Sequence, residues 1–190
     1  DDRTALVFWN ELGRQRALTY AELCDEVAVT ADALRRCGVV AGDRVAGFMP
    51  NLPETIIAML AAASLGAIWS SCSPDFGVNG VLDRFGQIAP RILFCTASYR
   101  YGGKEHQCLE RVAEIVSQIP AIERVVIVPY RDASGDITAN PRAVSWDDSR
   151  AGSTGAHLAF SRLPFAHPLY IMYSSGTTGL PKCMVHGAGG

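Results

Sequence analysis

The sequence predicts an α/β fold, a three-layer sandwich around a mainly parallel sheet, and three observations predict it. Short apolar, strand-like runs at Val45–Met49, Ala67–Ser71, Arg91–Cys95 and Arg124–Val128 alternate with helical stretches of about a dozen residues. Connections of that length demand right-handed crossovers, which leave helices on both faces of a parallel sheet. A chain of 190 residues at 48% hydrophobic is also long enough to bury about 70% of its unfolded surface, so residues 1–190 read as one α/β domain.

Each element has its own local reason. Ala5–Trp9 and Arg16–Leu18 read as a short hairpin turned by Asn10-Glu11-Leu12-Gly13. Thr19 and Glu22 have capping-box spacing, and the helix they open repeats apolar residues at Tyr20, Leu23, Val27, Ala31 and Leu34 before Gly38 ends it. After Val45–Met49, the next helix has Asn51 as its cap candidate, an early Pro53 and a first-turn acid in Glu54; Gly66 stops it. Val78–Ile88 and Glu105–Gln118 are the remaining predicted helices. From Tyr130 to about Pro168 the periodicity fades, so 131–167 reads as an irregular connecting segment anchored by Trp146. Pro168–Tyr173 is an apolar run that reads as a buried strand.

Composition removes several function classes. A net charge of −2 and a pI near 6.1 leave no basic footprint for nucleic acid. Six cysteines without a C-x-x-C pair and four scattered histidines read as reduced thiols in a cytoplasmic protein with no structural metal. The longest greasy run, Ile56–Trp69, has 14 residues, too few to cross a bilayer, so no membrane partner is expected. A start at Asp1-Asp2 without methionine suggests an excised fragment.

The chemistry concentrates in Tyr173-Ser174-Ser175-Gly176-Thr177-Thr178-Gly179-Leu180-Pro181-Lys182, which follows the last strand and therefore belongs at the carboxyl edge of the sheet, where open α/β folds bind ligands. Gly176 and Gly179 allow close backbone approach, and consecutive N–H groups can form an anion nest. Ser174, Ser175, Thr177 and Thr178 add hydroxyls for phosphate oxygens or magnesium, and Lys182 adds a full positive charge. The spacing is neither the Walker pattern nor the dinucleotide fingerprint. By residue type alone, a mobile linker and a phosphate site both remain open.

This string resembles the phosphate loop of the adenylate-forming superfamily of acyl-CoA synthetases, luciferases and peptide-synthetase adenylation domains. All ten positions match, and Cys183 then stands where the family pattern has glycine, which restricts the local turn. The resemblance implies that Ser174, Ser175, Gly176, Thr177, Thr178, Gly179 and Lys182 bind the phosphates of ATP, that Thr177 meets Mg2+ held by ATP, and that Lys182 and Thr177 are catalytic.

Two other strings narrow it. Trp69-Ser70-Ser71-Cys72-Ser73-Pro74-Asp75-Phe76-Gly77 is a self-capping turn on a bland reading, yet it is similar to the segment of the acetoacetyl-CoA synthetase branch, as is His167 before Pro168. Ser98–Lys104 reads as a loop with Arg100 and Lys104 around a glycine pair. Surface cations are more often merely solvated, but related synthetases use a basic loop here for the 3′-phosphate of coenzyme A; Lys104 takes the second basic position and Arg100 substitutes for the first, where Tyr101 stands. His167 and His186, flanking the phosphate loop, read as structural hydrogen-bonders.

The resemblance implies an ATP-dependent acid–thiol ligase of lipid and fatty-acid metabolism. It would adenylate a short-chain acid such as acetoacetate, pass the acyl group to coenzyme A, and release AMP and pyrophosphate. Family motifs for adenine, ribose and acyl group lie beyond the loop and cannot fit in the 8 residues after Lys182, so the expected partner is a missing C-terminal part. An acetyl- or propionyl-type synthetase, or a non-catalytic nucleotide-binding module, are the other readings. A Rossmann oxidoreductase lacks its glycine fingerprint at Met49-Pro50-Asn51-Leu52-Pro53.

Overall fold

The computed structural model describes residues 1–130, 137–155, 157–175 and 179–189. The opening hairpin is β1 (Thr4–Asn10) paired antiparallel with β2 (Gly13–Thr19). It leads into α1 (Tyr20–Arg36), whose capping box forms as the sequence predicts: Glu22 N–H donates to Thr19 Oγ1 at 3.1 Å, and the Thr19 N–H donates to the Glu22 carboxylate at 2.7 Å. Then come β3 (Arg44–Phe48), α2 (Pro53–Ser64), β4 (Ile68–Cys72), α3 (Val78–Ile88) and β5 (Ile92–Thr96). A second hairpin follows, β6 (Ser98–Tyr101) with β7 (Lys104–Gln107), and then α4 (Leu109–Gln118), β8 (Arg124–Val128), β9 (Ala143–Ser145), α5 (Trp146–Arg150), β10 (Pro168–Ser174) and β11 (Lys182–Gly187).

Seven of these strands form one sheet in the order β11-β10-β4-β3-β5-β8-β9, parallel throughout except for the antiparallel β10–β11 pair. The chain moves from β3 to β4 in one direction and from β4 back past β3 to β5 in the other. Right-handed crossovers therefore put α2 on one face and α3 on the opposite face. The packing agrees, with α1 against α2 and α3 against α4. Covered on both faces, the central strands bury almost every side chain, and Val45, Phe48, Leu93, Phe94 and Val125 form the middle of the core with Ile57 and Phe85 from the helices. On the edge away from the loops, Arg44 donates to the Ile88 and Ala89 carbonyls that end α3, while Arg91 pairs with Asp43 at 3.1 Å and Glu123 at 2.8 Å. Among the described residues, no helix is long and apolar enough to cross a membrane.

Several local expectations are corrected. Asn51 is not the cap of α2; Leu52 takes the N-cap position without a side-chain hydrogen bond, and Pro53 opens the helix with no N–H to satisfy. The helix expected from Glu105 starts only at Leu109, because Gly102 and Gly103, with φ of 61° and 73°, make the two-residue hairpin turn that draws Lys104–Gln107 into β7. Ser98–Lys104 is accordingly a strand and turn rather than a loop, with Ser98 Oγ donating to Glu105 at 2.7 Å. Within 131–167, residues 131–136 and 156 lie outside the described set, and the chain also builds β9 and α5, capped by Ser145. Trp146 is buried edge-on to Phe94, with ring centroids 6.1 Å apart. Of β10, expected to be a buried strand, only Ile171 is buried, since β10 meets β4 in register at only two positions and its outer neighbour β11 has no buried residue.

Gly47 on β3 faces the Trp69 indole so closely that a Cβ would sit 2.8 Å and 2.9 Å from two ring carbons. Gly47→Ala is expected to destabilise the fold by about 1–3 kcal/mol through overpacking against a rigid ring. A lowered urea midpoint at unchanged slope reports it, and an unchanged midpoint refutes it.

Candidate functional site

Because β10 runs parallel to β4, the segment after Ser174 leaves the sheet at the same carboxyl edge as the turns after β3 and β4. Two depressions lie along that edge. One, of about 490 Å³, is walled by the β3 and β4 exits (Met49, Ser73, Asp75) and by the two hairpin turns (Glu11, Arg100, Tyr101). The other, of about 600 Å³, lies between α3 and β10 and includes Trp69, Phe76, Arg84, Tyr170 and Tyr173. Ser71, Cys72 and Ser73 line both, so the Trp69–Gly77 string is a shared wall and more than a self-capping turn.

The phosphate-loop residues take different structural roles. Tyr173 is an anchor: its hydroxyl shares a 3.0 Å hydrogen bond with Ser70 Oγ, and Ser70 in turn donates to the Ile171 carbonyl at 2.9 Å. Burial, foremost, pushes the Tyr173 phenol well above its ordinary pKa, so it stays neutral. Ser174 ends β10 opposite Lys182, Ser175 is exposed, and Gly179 is exposed with a φ of 124°. Gly176, Thr177 and Thr178 lie outside the described residues. Lys182 opens β11 in an exposed position and, among the described residues, takes part in no ion pair. Cys183 lies in the extended strand rather than in the turn, so its Cβ imposes no turn strain.

Sequence reasoning missed two residues of α3. Gln87 donates to the Pro181 carbonyl at 2.9 Å and accepts from the Cys183 thiol at 3.5 Å, pinning the loop exit to the helix. Arg84, three residues earlier on the same helix face, lies 4.6 Å from the Phe76 ring centre and 5.8 Å from that of Tyr173. The i, i+3 polar pair was visible in the sequence; that its face meets a strand nearly 100 residues later was not.

Arg100 and Lys104 sit on the second hairpin. Arg100 is 3.6 Å from Glu11, whereas Lys104 is exposed opposite Tyr101 and makes no ion pair among the described residues. His167 donates from Nε2 to the Gly66 carbonyl at 2.8 Å, the structural role expected of it, while His186 rests against Tyr170 with its Nε2 buried and unpartnered. All six cysteines are free thiols. Among the described residues, no three His, Cys, Asp or Glu side chains converge as a metal-holding group. Each depression thus combines hydroxyls with one arginine: Ser71, Ser73, Tyr173 and Arg84 at the 600 Å³ one, Ser71, Ser73, Tyr101 and Arg100 at the 490 Å³ one, with Lys182 exposed at the start of β11.

Known proteins resemble this chain in sequence and in fold. A family model described as AMP-binding enzyme matches residues 1–190. The chain is 52% identical over 198 residues to an acetoacetyl-CoA synthetase of Mus musculus, covering 100% of this chain and 29% of that protein. It is 51% identical over 187 residues to an acetoacetyl-coenzyme A synthetase of Rhizobium meliloti (strain 1021), covering 98% and 28%. The solved acetoacetyl-CoA synthetase from Streptomyces lividans superposes with a TM-score of 0.90 at 42% identity, covering 100% of this chain and 28% of that one. The chain thus spans less than a third of the length of these relatives.

Cys72, in the wall common to both depressions, has its pKa pushed up to about 12, chiefly by burial. At pH 8 it is expected to resist iodoacetamide while exposed Cys24 is labelled, as peptide mapping by mass spectrometry will show. The same shift removes stability as the pH rises above the unfolded thiol value near 8.5, since only the unfolded chain can then ionise. Native labelling of Cys72 at the Cys24 rate contradicts this assignment.

Proposed function

The chain belongs to the AMP-binding enzyme family, and on that premise we propose that it forms the phosphate-gripping part of an AMP-forming acid–thiol ligase whose acid is acetoacetate. The observation that carries the reading is where the described ends of the loop stand. β10 delivers Ser174 and Ser175 to the edge where the β3 and β4 turns also open, and Lys182 stands opposite Ser174 at the start of β11, so hydroxyls and a lysine flank the place proposed for the triphosphate. In the proposed reaction the acetoacetate carboxylate attacks the α-phosphorus of ATP, the bond to pyrophosphate breaks, and the thiol of coenzyme A then displaces AMP from the acyl adenylate. Negative charge grows on the departing pyrophosphate, and donors held in place before the reaction stabilise it more in the transition state than in the ground state.

Each residue has a proposed share. Ser174, Ser175, Thr177 and Thr178, with the N–H groups around Gly176 and Gly179, hold the phosphates; Lys182 neutralises the leaving group. Magnesium would arrive on the triphosphate, with the Thr177 hydroxyl as its protein contact, a fit supported by the hydroxyl-rich residue types of the loop. Arg100, which lines the 490 Å³ depression, and Lys104 on the same hairpin would receive the 3′-phosphate of coenzyme A. The acyl assignment is supported by the names of the relatives. A cytoplasmic setting is supported by the six free thiols, and the thioester product suits lipid metabolism.

In the full-length protein, Lys182→Ala is expected to slow acetoacetate-dependent pyrophosphate exchange by roughly 10²–10³-fold, the usual cost of one such donor; an unchanged rate would leave only a nucleotide-binding module. A panel of short acids in the same assay should favour acetoacetate, and preference for acetate or propionate would reassign the substrate. The 190-residue chain by itself is expected to form no AMP from ATP and acetoacetate; turnover by it would refute its role as a part.

A further inference from the structure

The turn between β6 and β7 already holds an anion, and that anion belongs to the protein. Gly102 and Gly103 both have positive φ, and the ladder between the two strands does not use their N–H groups. Instead Gly102 N–H donates to Glu11 Oε1 at 2.5 Å and Gly103 N–H donates to Glu11 Oε2 at 3.0 Å, one carboxylate oxygen to each amide. Arg100 Nε lies 3.6 Å from the same Oε2. Two adjacent amides and a guanidinium converging on one pair of oxygens is an anion nest. Glu11 reaches it from a different sheet, from the turn of the β1–β2 hairpin.

We propose that this nest is a phosphate site for which the Glu11 carboxylate is an internal competitor, displaced by the 3′-phosphate of the thiol substrate. The proposal rests on the reading of Arg100 and Lys104 as the coenzyme A end of the site. A phosphate monoester presents three oxygens and nearly two charges against the single charge of a carboxylate, so the nest favours it. The surroundings can take it: Asn10, Glu11, Arg100 and Tyr101 all line the 490 Å³ depression. Asn10 Nδ2, on the residue next to Glu11, is buried without a hydrogen-bond partner, a donor left over at the turn that carries the competitor. The Glu11 and Arg100 side chains are 37% and 38% exposed, so the ion pair is screened by water and its exchange for a phosphate is cheap. One consequence is selectivity. A thiol that lacks the phosphate cannot displace Glu11 and gains nothing from the nest, so the internal carboxylate suppresses binding of other anions of its own charge.

The test measures KM in the full-length enzyme for coenzyme A and for 3′-dephospho-coenzyme A, comparing wild type with Glu11→Gln and Arg100→Ala. Competition predicts that Glu11→Gln lowers the KM for coenzyme A by about two- to five-fold, the worth of an exposed ion pair, with no such gain for the dephosphorylated thiol. Arg100→Ala should raise the KM for coenzyme A alone. If Glu11→Gln instead leaves the coenzyme A KM unchanged or raises it while Arg100→Ala still separates the two thiols, Glu11 is only a tether between hairpins and the proposal is overturned, with the coenzyme A reading intact. If Arg100→Ala treats both thiols alike, the phosphate is not bound at this hairpin and both ideas fall.

Discussion

The candidate site depends on how β10 is joined to the rest of the sheet. Only Tyr170 and Ile171 are in ladder register with β4, beside Trp69 and Ser70. The Ser70 hydroxyl reinforces that short seam by bonding both the Ile171 carbonyl and the Tyr173 hydroxyl, across more than 100 residues of sequence. The hydroxyl is buried, so an unmade bond there would cost the desolvation of a polar group in addition to the lost contact. Parallel pairing at this seam is what brings Ser174 and Ser175, with Lys182 opposite Ser174, to the edge shared by the β3 and β4 turns. An antiparallel β10 would have sent it to the opposite edge, among the ion pairs of Arg91.

Around that seam the structure sorts its cations by what they already hold. Arg84 is spent on two aromatic rings and a helix carbonyl, and Arg100 on a carboxylate, while Lys182 has no ion-pair partner among the described residues. A protein with a net charge of −2 thus still places Arg84, Arg100 and Lys182 along one rim, with Asp75 and Glu11 as the acids beside Arg100. The thiol in the same wall takes no part, since burial keeps Cys72 protonated. Gln87 adds rigidity rather than charge, holding the exit of the loop at Pro181 and Cys183, on both sides of Lys182.

The elements legible in the sequence were those whose cause is local. The capping box of Thr19 and Glu22, the boundaries Val78–Ile88 and Arg124–Val128, and the hairpin turned at Asn10–Gly13 all follow from residues within a few positions of one another. Errors came where two local signals competed. Glu105 looked like the first turn of a helix, but the glycine pair before it offers a tight turn that only these φ values permit, and strand pairing took the residues up to Gln107. Asn51 is a good cap by type and sits one residue too early for it. The strand β11 had no signal at all, because an exposed edge strand needs little apolar patterning and its partner lies on the far side of the loop.

By itself, the sequence determined the alternation of strands and helices and the parallel sheet they imply, since each is written in residue types at short spacing; the ten-residue loop marked the adenylate-forming family through its resemblance to that family's pattern. Only the tertiary structure decided which distant groups meet: Ser70 with Tyr173, Gln87 with Pro181 and Cys183, Glu11 with Gly102, Gly103 and Arg100. Those pairings join hairpins, helix and sheet edge through hydrogen bonds and charges that carry no sequence period. They form because the buried core fixes the elements in space, and the surface side chains then bond whatever polar group that arrangement brings within reach.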